Sequence, residues 1–348
     1  MVLVSAIVLT FSVHASTDFQ AHRKARLPSN ADSCVACHAV PITGGSSKIV
    51  VTRVQVAGPE AKAAGSYVLH SVGQVIPEPL RGTQGERVAI SLLGDGYVEV
   101  IDAASILRAL DRQQRESRGR IRGQINRCPA LETGGLITGI GRFGWKDQHS
   151  SLRSACADSM LNELGVPNHL YAADMSLHSE DEVALEKIVA FVRALPPPER
   201  EKDLAATGDS LRGEQIFSRI GCALCHVTTM RTLPPGSEIN GGTYRVPKEL
   251  GGKDIHPYSD FLLHDVGTGD GILQAATSEF VDLRTANRFR TPPLWGLRYR
   301  SWLLHDGKSV TLHQAIMRHG GEASDVTSNY EKLTPVERQQ LDQFLNSL

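Results

Sequence analysis

The chain writes one pattern twice, as SCVACH from Ser33 to His38 and as GCALCH from Gly221 to His226. With 6 cysteines and 13 histidines among 348 residues, composition alone supplies only about 0.004 Cys-x-x-Cys-His strings, so two copies ask for a chemical reason. Covalent attachment of c-type haem provides one: two thiols add to two vinyl groups while the adjacent histidine ligates iron. Structural zinc would take the four cysteines and leave both histidines redundant. A dithiol redox centre wants a single Cys-x-x-Cys beside a βαβ pattern, which the sequence lacks. The motif therefore calls for two haem c groups, one on Cys34, Cys37 and His38 and one on Cys222, Cys225 and His226. His38 and His226 are the expected proximal iron ligands.

The rest of the composition fits that reading. Only 5% of residues are aromatic, and a macrocycle in each half would supply a large apolar body around which a core can pack. A formal net charge of −1 gives no case for nucleic acid or an anionic membrane surface. Met1 to Phe11 is apolar but too short to span a bilayer, and Val13-His14-Ala15 offers small residues for cleavage. Residues 1–15 read as an export signal, which places the mature chain in an oxidising compartment, with no later run long enough to hold it in a membrane. Cys128 and Cys156 are then expected to form a disulfide.

Two halves follow the same plan. Ala184, Leu185, Ile188, Val189, Val192 and Leu195 recur at helical spacing and stop at Pro196-Pro197-Pro198. Thr334 and Glu337 make a capping box, Pro335 takes the first helical position, and Leu341, Phe344, Leu345 and Leu348 share a face. Each half thus opens on Cys-x-x-Cys-His and closes on an apolar-faced helix. The expected class is mainly α, with two cytochrome c-like domains at 16–198 and 207–348 joined by a linker at 199–206. The first carries a mixed α/β or irregular insertion: Val50 to Val56 and Val88 to Val100 read as strands, Ala103 to Leu110 as a short helix, Gly134 to Gly144 as irregular backbone. Arg112 to Arg127 reads as a solvated, arginine-rich surface.

Function then turns on the other side of each iron, where a closed sixth position favours electron transfer and an open one admits a small ligand such as peroxide. Candidate distal ligands are Met175, Met230, His256, His264, His305 and Met317, with His149 and His169 behind them. His264-Asp265 and His305-Asp306 pair imidazole with carboxylate, suited to proton transfer beside iron. Thr311 and Gln314 open a helix that carries His319 inward. In GRFGWK, glycines bracket Arg142, Phe143, Trp145 and Lys146, so Trp145 can lie between the two sites and Arg142 or Lys146 can meet a haem propionate.

These residues together resemble the di-haem oxidoreductase family, also called thiol oxidoreductase-like. The resemblance rests on SCVACH, GRFGWKDQHSSLR (Gly141 to Arg153), GCALCH, HPYSDFLLHDVG (His256 to Gly267) and RTPPLWGLRYRSWLLHDGKSVTLHQAIMRHGGEA (Arg290 to Ala323). It implies a bacterial periplasmic protein with two haem c groups, served by a small redox protein or other electron donor, with hydrogen peroxide as the candidate oxidant. It also implies a distant likeness to bacterial di-haem cytochrome c peroxidases, in which one haem relays electrons and the other meets peroxide, with His305 to Gly307 beside the second haem. On that basis Trp145, Arg142, His305 and His264 are candidate catalytic residues. The alternative is a non-enzymatic electron-transfer or redox-sensing protein. Three positions depart from the family pattern: Val266 replaces the methionine of His-Asp-Met-Gly, Asp147 replaces an alanine, and the Asp-Met-Gly-like segment reads Asp174-Met175-Ser176, leaving Met175 as the weak candidate ligand.

Overall fold

The computed structural model describes residues 33–47, 49–55, 66–69, 83–171, 178–274 and 282–348. The expected signal at 1–15 and Met175 lie outside them. Strands β1 (Val50–Gln55), β2 (Ser66–Leu69) and β3 (Thr83–Val88) form an antiparallel sheet in the order β2-β1-β3. Helices α1 (Asp95–Glu99) and α2 (Ala103–Glu116) follow, then the paired short strands β4 (Arg127–Pro129) and β5 (Thr138–Ile140), then α3 (Leu152–Asn162) and α4 (Ser179–Ala194). The second half holds α5 (Lys202–Ala205), α6 (Gly208–Ile220), α7 (Leu312–Met317), α8 (Ser324–Glu331) and α9 (Pro335–Ser347). The fold is mainly helical, with small and mostly two-stranded sheets.

The closing helix forms as its sequence dictates. Thr334 and Glu337 make the reciprocal capping box, and Leu341, Phe344 and Leu345 are buried against Ile216, Phe217 and Ile220 of α6. The two helices approach so closely at Gly213 that a Cβ there would lie 2.0 Å from the Gln340 carbonyl oxygen. Any side chain at Gly213 would push α6 and α9 apart. The α4 stripe is likewise buried, with Leu185, Val189 and Val192 wholly inside.

Two expectations need correction. The apolar run after Val88 does not continue as strand: Gly94 takes a left-handed φ of 86° and the chain turns into α1. Val98 and Val100 are buried all the same, because a short amphipathic helix can bury them as well as a strand can. The helix expected to end at Leu110 runs on to Glu116. Asp102 caps its start by accepting from the Ala104 amide, and strong helix formers carry it to Ser117, beyond which Arg118 and Gly119 adopt positive φ.

The larger core draws on both sides of residues 199–206. Leu93, Ile106, Leu152, Met160 and Leu185 pack there with Val227, Met230, Phe261 and Trp295. A second core belongs to α6, α7, α9 and the segment from Tyr258 to Leu303. The stretch expected to be a solvated linker contains α5, capped by Glu201, whose own amide donates to the Ser347 carbonyl at 2.7 Å.

Candidate functional site

Both cysteine pairs sit on the same local structure. Cys34–Ala36 and Cys222–Leu224 are single 3-10 turns, closed by His38 N–H donating to Cys34 O at 3.0 Å and His226 N–H to Cys222 O at 2.9 Å. One turn therefore brings two thiols and an imidazole together. His38 Nδ1 faces the Gly45 carbonyl oxygen at 3.1 Å, and His226 Nδ1 faces that of Tyr258 at 3.0 Å. A carbonyl only accepts, so each ring carries its proton on Nδ1 and presents Nε2 as the basic nitrogen. Burial lowers both imidazoles to a pKa of about 4, keeping them neutral and able to ligate metal. Burial raises Cys37 to about 11 and Cys222 to about 12, so neither is a thiolate at neutral pH, which disfavours a dithiol redox centre.

Each turn opens into its own apolar cavity. The C-terminal cavity, about 200 Å³, is lined by Cys222, Cys225 and His226 together with His264, His305 and His319. The N-terminal cavity, about 190 Å³, is lined by Cys34, Cys37 and His38 with Arg87, Cys156 and Met160. Protein interiors pack closely and rarely keep voids much larger than one water, so spaces of this size beside paired thiols suit a bulky apolar group. Val88, Ala89, Ile90, Trp145 and Arg290 line both cavities, and the Trp145 indole N–H donates to Val88 O at 2.8 Å. Trp145 thus stands in the wall the cavities share.

Two of the arginines in these walls, Arg87 and Arg290, escaped sequence reasoning. Arg87 and Arg290 are each only 2% exposed. Arg87 pairs with Asp270, yet its Nε and Nη2, and the Nε of Arg290, meet no hydrogen-bond partner among the described residues. Buried guanidinium N–H groups without acceptors are costly, and carboxylates on a cavity ligand would satisfy them. No local pattern marks these arginines, because strand and loop positions acquire that role only through folding. The residues expected to meet a propionate do other work. Arg142 Nη1 donates to the carbonyls of Val98, Glu99 and Ile101 at 3.0–3.2 Å, closing the end of α1, and Arg142 lines neither cavity. Lys146 is fully buried and donates to the carbonyls of Thr285 and Ala286.

His264 is also reassigned. Its Nε2 lies 2.8 Å from Asp260 Oδ2 and its Nδ1 2.8 Å from Glu322 Oε2, with Cys225 Sγ 3.9 Å away. Burial alone would depress its pKa, but its contacts with Cys225, itself a thiol that burial pushes up, and with the Asp260 carboxylate hold it well above the usual histidine value. An imidazolium has no lone pair. The grouping of Cys225, Asp260 and His264, the one such cluster among the described residues, is therefore an ion-paired network more than a metal clasp.

His305 keeps its place at the C-terminal cavity. Its ring stacks on Phe289 with centroids 3.6 Å apart and lies 6.1 Å from Trp145, while burial, reinforced by Arg87, lowers its pKa to about 3. His305 is thus neutral at ordinary pH. Arg318 grips the neighbouring Asp306 through two hydrogen bonds of 3.0 and 2.6 Å. His319 lines the same cavity and donates from Nδ1 to Ala315 O at 2.7 Å, which again leaves Nε2 basic. Val266 lines it too, where the family pattern has methionine.

The other candidates are dispersed. His149 lines the N-terminal cavity, but Ser154 Oγ engages its Nδ1 at 2.9 Å and Asp158 lies 3.3 Å from its Nε2. His169 and His256 are exposed, Met317 is 37% exposed, and Met230 is buried in the larger core away from either cavity lining. Cys128 and Cys156 are separate thiols, so the expected disulfide is not formed; Cys128 donates to Asp147 O and Cys156 faces the N-terminal cavity. Asp147 is 1% exposed, and its carboxyl oxygens meet no hydrogen-bond partner among the described residues. Burial raises its pKa well above the carboxylate range, although Arg290 Nε approaches to 3.6 Å.

Both paired-thiol turns thus open onto large apolar cavities. Residues 173–348 match the family described as "Di-haem oxidoreductase, putative peroxidase", and the chain belongs to that family. Among solved structures it is similar to the hydrazine synthase of Kuenenia stuttgartiensis, at 18% identity and a TM-score of 0.47 over 97% of this chain and 87% of that one. A MauG-like protein associated with microbial copper homeostasis matches at 19% identity and a TM-score of 0.37, over 60% of this chain and 69% of that chain. The dihaem peroxidase BthA of Burkholderia thailandensis matches at 14% identity and a TM-score of 0.39, over 72% and 77%. No curated protein matches the chain. No helix among the described residues is long and apolar enough to cross a membrane.

Proposed function

We propose that the protein is a periplasmic di-haem c oxidoreductase that receives electrons from a small redox protein at one of its two haem sites and passes them to a small oxidant such as hydrogen peroxide. The carrying observation is that each Cys-x-x-Cys-His turn opens onto its own large apolar cavity, with buried arginine N–H groups awaiting acceptors. When bound, haem supplies one-electron chemistry and an iron that can take a small ligand. In this reading Cys34, Cys37, Cys222 and Cys225 would anchor the groups, and His38 and His226 would hold the irons. Arg87 and Arg290 would donate to propionate carboxylates. Trp145, in the shared wall, lies on the direct path between the sites. His305, kept neutral by burial, would offer a hydrogen-bonding imidazole in the C-terminal cavity. The halves at 16–198 and 207–348 are read as two cytochrome c-like modules that share the larger core.

A second reading, electron transfer without peroxide chemistry, is favoured by His319, which lines the cavity of His226 with a basic Nε2 and would be a further imidazole able to hold an iron there. Optical and EPR spectra of both oxidation states, taken with peroxide turnover using a reduced donor, separate the two. One high-spin, ligand-accessible haem with turnover supports the peroxidase reading. Two low-spin haems without turnover support the electron carrier.

A further inference from the structure

We infer that the arginine-rich end of α2 and the loop after it form the docking surface for an acidic redox protein, placed so that electrons enter at the C-terminal cysteine-pair turn. This rests on the di-haem reading and adds to it a location, a charge sign and a site of entry. Between Arg108 and Arg127 the chain has seven arginines against two acidic residues, a net charge of +5, whereas the remainder carries −6. The segment is thus positive while the remainder of the chain is, in sum, negative.

That face adjoins the redox site directly. Arg112 Nη2 donates to the carbonyl of Ala223, inside the Cys222–His226 turn, at 2.8 Å, and the side chain of Gln113, which follows it, is held by Asp260 at 2.9 Å. The turn is itself only half-buried, so a protein resting on these arginines would also rest against Cys222 to Cys225. Arg108, Arg115, Arg118, Arg120 and Arg122 are exposed around it. Asp111 covers Arg115 and Asp325 covers Arg120, but these are pairs at solvent-exposed positions, weak and exchangeable with a partner's carboxylates. Glu322 is taken up by His264 and Arg288 and does little to neutralise the strip. Arg118 has no ion pair among the described residues, and its φ of 54° turns the chain outward at the end of α2. Charges at the rim of an interface act mainly on encounter rate and salt dependence, so a partner surface rich in Asp and Glu is the complement.

The test uses holoprotein and a reduced plant-type [2Fe–2S] ferredoxin as the acidic probe, with haem reduction followed by stopped flow from about 20 mM to about 500 mM salt. Wild type should be reduced fastest at low salt. The variant R115E/R118E should be about 10-fold slower there and converge with wild type at high salt, where the Debye length shrinks to a few ångströms. Its Soret spectrum should be unchanged, and K202E/R245E, which shifts net charge equally at two exposed positions elsewhere, should stay within about twofold of wild type. Equal low-salt rates for wild type and R115E/R118E, or a rate insensitive to salt, overturn the docking surface alone. A wild-type protein without a Soret band overturns the di-haem reading and the docking proposal with it.

Discussion

Replacing Cys222 and Cys225 together by serine is expected to halve the covalently bound haem and to destabilise the C-terminal core most. On the proposed reading the cavity beside these thiols is filled by the macrocycle, against Leu294, Leu297, Leu303, Leu341 and Leu345. Left open, about 200 Å³ of cavity at roughly 24 cal/mol per Å³ costs on the order of 5 kcal/mol, less whatever collapse of the walls recovers. The penalty should appear as early unfolding of α6 and α9, which pack this core around Phe217 and Phe344 at a ring separation of 5.2 Å. Haem on Cys34 and Cys37 should remain. Hydrogen exchange on the serine variant, beside pyridine haemochrome quantification, checks both parts. Unchanged haem content contradicts the attachment, and unchanged protection of α9 contradicts the energetic argument.

The second large effect is at Glu99, whose side chain is fully buried. Its Oε2 accepts from Arg193 Nε at 2.7 Å, and its Oε1 accepts from Arg193 Nη2, the Leu152 amide and Asn240 Nδ2, each at 3.0 Å. One carboxylate therefore ties α1 to the start of α3, the end of α4 and a loop of the second half. Its charge also meets the amide end of α3, where negative charge is favoured. Glu99→Ala leaves a partly buried guanidinium and two N–H donors without acceptors and should cost about 3–5 kcal/mol, or roughly 4–7 °C in melting temperature for a chain of this size. Glu99→Gln, which keeps the shape and one acceptor, should cost less. Thermal unfolding of both variants tests this; a loss below about 1 kcal/mol for the alanine variant would show that the four contacts are not cooperative.

How far the sequence could be read depended on how local each feature was. The C-terminal helix was legible because Thr334, Pro335 and Glu337 act within one turn and its stripe repeats every 3–4 residues. The paired turns were legible for the same reason. The run after Val88 was misread because a short buried helix and a buried strand want the same apolar residues, and only Gly94 gives the turn away. Longer-range roles were hidden. His264 looks like a ligand until Asp260 and Glu322 are seen on its two nitrogens, the latter 58 positions along the chain. Arg142 was read as a partner for a ligand because its glycine-flanked loop allows close approach, yet what approaches is the end of α1. Trp145, expected between the two sites, lines both cavities. Arg87 and Arg290 carry no local mark, since an arginine in a strand is ordinarily a surface residue and only folding buries these two.

The most direct test is the intact mass of the protein under denaturing conditions, after maturation in a host competent for cytochrome c assembly. Two covalent haem c groups predict a mass increase of two macrocycles, falling to one in the Cys222→Ser/Cys225→Ser variant. A colourless chain at its unmodified mass would contradict the assignment of both cavities and the electron path drawn between them.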